Sequence, residues 1–283
     1  MQDAFAYCEA QVRARDRDRF LSALFAPAQQ RAALFALYAF NLEVARVREA
    51  ALGLAGEIRL QWWADILAGQ ARGEVEGNPV AAALLAAIAQ YGLDTARLAA
   101  LIDAHRFDLY DEPMSTLADF EAYADAVTTN LIKSATQIVL GRPGSETEEL
   151  AHHTGIAQAI TGLLAAFPVH SGRGQLYLPL DLLNRHGVGR EHIAEKRASP
   201  ALRAALGELR SIARHHLRQA RQLVGRAPAA ALPAFLPVAL AGPTLARMER
   251  KEYQPFAPII VPPWRRQWLI WRAARRPERI FEG

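Results

Sequence analysis

Between Arg31 and Ala45 the chain reads Arg-Ala-Ala-Leu-Phe-Ala-Leu-Tyr-Ala-Phe-Asn-Leu-Glu-Val-Ala. Its apolar residues Leu34, Leu37, Tyr38, Leu42 and Val44/Ala45 recur at three- and four-residue steps, which places them on one face of a long helix. The same periodicity runs outward in both directions. Its interruptions are short groups of helix breakers: Ala26-Pro27, Gly53, Gly73 to Pro79, Glu112-Pro113, Gly141-Arg-Pro-Gly144, Gly187-Val-Gly189, Gly225 to Pro228 and Pro255 to Pro263. No stretch combines sustained two-residue alternation with hairpin turns, so the fold class is all-α. With no repeat of fixed period and no low-complexity linker, residues 1–283 are expected to form a single domain of about ten helices.

Composition agrees with a packed core and excludes several occupations. The 283 residues are 51% hydrophobic, which excludes disorder. Cys8 is the only cysteine, so neither an intramolecular disulfide nor a cysteine-based zinc site can form, and a reducing compartment is expected. The N-terminal Met1-Gln2-Asp3 and the charged run Arg13 to Arg19 lack the order of a signal peptide. Two long uncharged stretches are poor spanning helices: Ala151 to Gly172 carries three histidines, and Ala227 to Ala246 is broken by prolines. A cytoplasmic location is therefore expected, peripheral at the inner membrane if the C-terminal helix described below meets lipid. The net charge of +4 is weak for a nucleic-acid partner, and none is expected.

Local signals are mostly structural. Ser115-Thr-Leu-Ala-Asp119 offers hydroxyl caps and an acid at the positive end of a helix, and Pro262-Pro263 opens another before Trp264. Glu121 and Asp125, Asp108 and Glu112, and Glu191 and Glu195 each stand four apart and are read as solvated helix faces or ends. His152-His153 and His215-His216 are not read as metal sites, because adjacent helical residues point about 100° apart. Phosphate loops and nucleophile motifs are absent.

Two segments stand apart: Phe40-Asn-Leu-Glu-Val-Ala-Arg-Val-Arg-Glu49 followed by Arg59-Leu-Gln-Trp-Trp63, and Gly155 to Gly162 running through Pro168-Val-His170 to Gly174-Gln-Leu-Tyr-Leu-Pro179. With Leu37-Tyr-Ala-Phe40, Asp108-Leu109 and Leu117 to Tyr123, they resemble the squalene/phytoene synthase family over most of the chain. The resemblance implies the isoprenoid synthase fold, one helical bundle around a central cavity. In catalytic members two aspartate-rich helices face that cavity and hold Mg²⁺ ions, which bind the diphosphates of two prenyl donors.

The chain departs from that pattern where the acids should be. Positions of the first acidic run fall on Ala45, Arg46 and Glu49, and those of the second motif on Gly162, Ala165, Ala166, Val169 and His170. No Asp or Glu lies between Leu150 and Asp181, so a slip of register does not restore the site. Phe40-Asn41, Glu43, Arg48-Glu49, Arg59-Leu-Gln61-Trp62-Trp63, Thr161-Gly162 and Pro168-Val-His170 resemble instead a subgroup that includes a mitochondrial assembly factor of respiratory complex I. The expected function is thus a non-catalytic accessory or assembly role, with complex I subunits or assembly intermediates as partners, or prenyl-lipid binding. The alternative is an active Mg²⁺-dependent prenyltransferase, with Glu43, Glu49, Asp65 or Asp108 supplying the carboxylates. Only that alternative needs a cofactor, Mg²⁺.

No residue is assigned a catalytic role. Asn41, Glu43, Arg46, Glu49, Tyr123, His170, Arg173 and Tyr177 are the candidates for the cavity or a ligand. Arg46 and Arg48 either hold an anion in a bidentate grip or pair with Glu43, Glu49 or Asp65. Of Trp62 and Trp63, one is expected in the core and the other at the cavity. Trp264, Trp268 and Trp271 share a helix face, with Arg265, Arg266, Arg272, Arg275, Arg276 and Arg279 around them. Such a helix either lies on an anionic membrane or closes the bundle core with its tryptophans.

Overall fold

The computed structural model describes residues 1–47, 53–70, 75–110 and 112–282. Its α-helices are α1 Gln2–Arg15, α2 Arg17–Ala23, α3 Ala28–Ala45, α4 Leu54–Leu67, α5 Pro79–Tyr91, α6 Thr95–Ala104, α7 Leu117–Ala124, α8 Asn130–Leu140, α9 Glu148–Gly172, α10 Leu180–Arg185, α11 Arg190–Ala194, α12 Pro200–Leu223, α13 Ala241–Met248 and α14 Pro263–Arg275. No β-strand occurs among the described residues, as the periodicity predicts. The chain divides into two compact units. Unit 1 comprises Met1–Tyr110, Asn130–Ala151 and Arg226–Pro237; unit 2 comprises Asp111–Thr129, His152–Gly225 and Val238–Gly283.

In unit 1, α3 is the central element. Residues 33–41 are all buried, whereas its sequence pattern predicts one buried face. The reason is that α1, α5 and α8 pack around it, and its alanines at 33, 36 and 39 allow neighbours close on the sides the larger residues leave. Phe40 meets Trp63 of α4 edge to face at 5.1 Å, an arrangement the ring quadrupoles favour. Trp63 is the core tryptophan and Trp62 is half-buried. Asn78 accepts hydrogen bonds from Val80 N and Ala81 N to cap α5, and Asp94 does the same for α6 through Ala96 N. Cys8 is fully buried in α1, and desolvation pushes its thiol up to about 12, which disfavours the thiolate.

Unit 2 is built on α12, whose buried residues Leu202, Ala205, Leu206, Leu209, Ala213 and Leu217 follow the three- and four-residue step. It packs against α10 and α13. Thr116 and Asp119 open α7 with a reciprocal capping box, Thr116 N donating to Asp119 Oδ2 and Asp119 N to Thr116 Oγ1. After Ala124 the helix does not continue to Leu140 as a plain α-helix. Asp125–Thr129 form a π-helical turn, and α8 starts only beyond it. Against this turn lies Gly155 of α9, where a Cβ would stand 2.8 Å from both Cα and N of Thr129. No described helix is long and apolar enough to cross a membrane.

Candidate functional site

The last turns of α3 carry the first group of candidates. Asn41 is buried, and Glu43, half-buried, is bridged to Arg59 of α4 at 3.2 Å. Arg46 is half-buried at the C-cap, its backbone N–H returning to Leu42 O and Val44 O. Arg48 and Glu49 lie outside the described residues. On α4, Gln61 Nε2 donates to Asp65 Oδ1 at 2.7 Å, while the Arg106 guanidinium donates to Gln61 Oε1 at 3.0 Å and to Glu57. Tyr110 Oη also donates to Glu57, at 2.9 Å. Asp108 is buried, 2.6 Å from His105 Nδ1. Glu57, the centre of this network, was not a candidate in the sequence; its partners are 49 and 53 residues away, beyond any local pattern.

These carboxylates are held separately by hydrogen bonds and ion pairs. Among the described residues, Glu43, Asp65 and Asp108 do not form a group able to share an ion. Mg²⁺ takes nearly octahedral oxygen ligation, and its diphosphate clusters need several carboxylates on facing helices. Here the described part of the first helix offers Glu43, already bridged to Arg59, beside the cation Arg46, and the second offers no acid from Ala151 to Gly172. Among the described residues, this donor set does not fit the metal.

Within unit 2, the C-terminal end of α9 brings three candidates together. The Tyr177 ring lies 4.6 Å from that of His170 and 6.2 Å from that of Tyr123. All three are half-buried, and Arg173 is exposed just past the helix end. This cluster of rings can pack against or hydrogen-bond a ligand, but it supplies no hard anionic ligand. A cavity of about 220 Å³ opens beside it, lined by Ser171, Gln175 and Leu176 with Arg190, Glu191 and Ile193. In unit 1 a larger apolar cavity, about 720 Å³, is lined by residues including Ala4, Ile66, Ala82 and Leu85.

The histidines require a correction. His152, His153 and His216 each place one ring nitrogen within 4.8 Å of the others. Adjacent positions on α9 do diverge, but α12 supplies the third imidazole on the side where their rings converge. His153 Nδ1 and His216 Nδ1 are 2.9 Å apart, and His152 Nδ1 is 2.8 Å from Asp125 Oδ1. Burial, with His153, His152 and His215 adding to it, pushes the His216 imidazole down to about 4 and keeps it neutral.

At the C-terminal helix the structure separates the two readings. Leu269, Ile270 and Ala273 face the core, whereas Trp264, Trp268 and Trp271 are 68%, 48% and 47% exposed. The tryptophans therefore do not close the bundle. Arg272 stacks on Trp268 at 4.7 Å and Arg275 on Trp271 at 4.6 Å, while Arg265 and Arg266 are half-buried in the first turn.

Comparison with known proteins agrees with this architecture. The family model for squalene/phytoene synthase matches residues 12–272. The chain is 31% identical to the NADH dehydrogenase (ubiquinone) complex I assembly factor 6 of Rattus norvegicus, over 91% of this chain and 78% of that protein. It is 28% identical to the presqualene diphosphate synthase of Rhodopseudomonas palustris, over 71% of this chain and 72% of that one. A crystal structure of a dehydrosqualene synthase superposes with a TM-score of 0.83 at 20% identity, covering 98% of this chain and 97% of the other, which shows the fold. With the family pattern running nearly from end to end on an isoprenoid synthase fold, the chain belongs to the squalene/phytoene synthase family.

Proposed function

We propose that this protein is a non-catalytic member of its family that serves as an accessory or assembly factor for respiratory complex I. The observation that carries the reading is the state of the two metal-binding helices. Glu43 is neutralised by Arg59, and α9 has histidine and aliphatic residues where carboxylates would be needed. The likeness to complex I assembly factor 6 supports the role. Loss of the gene in its native host is expected to lower complex I activity in isolated membranes. The chain, and equally its Glu43→Gln variant, should restore it. Unchanged complex I after the deletion would overturn the assignment.

A direct chemical test addresses the catalytic alternative. Incubated with Mg²⁺ and farnesyl or geranylgeranyl diphosphate, the purified chain is expected to release pyrophosphate at least about 10²-fold more slowly than a catalytic relative, because the groups that stabilise the departing diphosphate are missing. A squalene- or phytoene-like product at a comparable rate would refute the non-catalytic reading.

The exposed face of α14 supports peripheral attachment to an anionic membrane. Trp264, Trp268 and Trp271 present an aromatic stripe flanked by arginines, suited to the lipid interface. Each basic residue at such a surface contributes about 1 kcal/mol, so Arg275→Gln with Arg276→Gln is expected to weaken co-sedimentation with phosphatidylglycerol vesicles roughly 30-fold. The binding should also fall at high salt. Equal binding by the double variant, or to neutral vesicles, would count against this attachment.

A further inference from the structure

From this geometry we infer that His152, His153 and His216, backed by Asp125, form a binding site for one transition-metal ion of the zinc class, unrelated to the family's Mg²⁺ chemistry. The three imidazoles come from two helices that the sequence separates by 63 residues, and one ring nitrogen of each lies within 4.8 Å of the other two. Three nitrogens at Zn–N bonds of 2.0–2.1 Å in a tetrahedral arrangement stand about 3.4 Å apart. His153 and His216, at 2.9 Å, need to separate by only a few tenths of an ångström, and an ion between them would replace their hydrogen bond.

The surroundings are those of a ligand set. Asp125 is the first residue of the π-helical turn and sits 2.8 Å from His152 Nδ1. A carboxylate at that distance orients the His152 ring and favours the tautomer that keeps the other ring nitrogen unprotonated, the arrangement carboxylate partners give to zinc-bound histidines. His152 is about half exposed, which gives an ion a route from solvent and leaves a fourth position for water. An all-nitrogen set selects zinc, nickel or copper over Mg²⁺ and Ca²⁺, which require oxygen. Close approach of α9 to the π-helical turn depends on Gly155, three residues after His152.

The test uses the full chain without a polyhistidine tag, stripped with a chelator and titrated with Zn²⁺ alone by calorimetry and by competition with a chromophoric chelator. One ion per chain is expected, with no heat from Mg²⁺. His216→Gln should lower the affinity at least roughly 100-fold, and Asp125→Asn, which removes only the outer partner, by roughly 10- to 100-fold. His215→Gln, on the exposed neighbour outside the cluster, should leave it unchanged. If His216→Gln does not fold, as judged by circular dichroism, His152→Gln at its more exposed position takes its place. X-ray absorption at the zinc edge should show three imidazole nitrogens and one light atom. No binding by the unmodified chain, equal binding by a folded His216→Gln or His152→Gln variant, or a shell of oxygen alone would overturn the site.

Discussion

Gly155→Ala is expected to destabilise unit 2 by about 3 kcal/mol, a large share of the roughly 5–15 kcal/mol that holds a domain folded. The new methyl carbon would sit 2.1 Å from Thr129 Oγ1 and 2.8 Å from both Cα and N of Thr129. A hydroxyl can rotate away, but backbone atoms at 2.8 Å yield only if α9 or the π-helical turn moves. Overpacking of this kind ordinarily costs about 1–3 kcal/mol, and contact with main chain belongs at the upper end. Gly162, two turns further along α9, has open space around its missing Cβ. There the same substitution should stabilise by about 0.5–1 kcal/mol, because alanine restricts the unfolded chain and favours the helix. Denaturant titrations with unchanged m-values check both signs. A mild Gly155→Ala would mean that the helix pair can spread without loss.

Asp108→Ala should cost about 2–4 kcal/mol, since a buried polar group deprived of its partner bears the full cost of desolvation. The carboxylate lies 2.6 Å from His105 Nδ1, and both side chains are less than one-tenth exposed. Truncation removes that acceptor and leaves a small cavity as well. Asn at 108 keeps an oxygen for the Nδ1–H, so Asp108→Asn is expected to cost only about 1 kcal/mol. A difference of less than about 1 kcal/mol between the two variants would show that the hydrogen bond contributes little. The pair, a carboxylate buried against an imidazole at the end of α6, takes part in the packing of unit 1.

Local patterns made much of the architecture legible. Proline and glycine punctuation marked the helix ends, as the capping box at Thr116 and the start of α14 at Pro263 illustrate. The absence of any acid from Ala151 to Gly172 was equally plain, because an absent carboxylate needs no geometry to be seen. The π-helical turn at Asp125–Thr129 was not legible: Asp-Ala-Val-Thr-Thr carries no breaker, and the turn is favoured by what it packs against. The exposure of Trp264, Trp268 and Trp271 was half legible. Spacing put them on one face, but with arginines nearby it did not tell which face meets the core.

Helix positions and the absence of acids from Ala151 to Gly172 thus follow from the sequence by itself, because both rest on residue type and on spacings of a few residues. Tertiary structure alone decided which charges meet and which rings converge. Glu43 finds Arg59 16 residues away, Asp125 finds His152 at 27, and His153 finds His216 at 63. A ring nitrogen has to be brought within about 3 Å of its partner to interact, and over such separations only the packing of helices sets that distance.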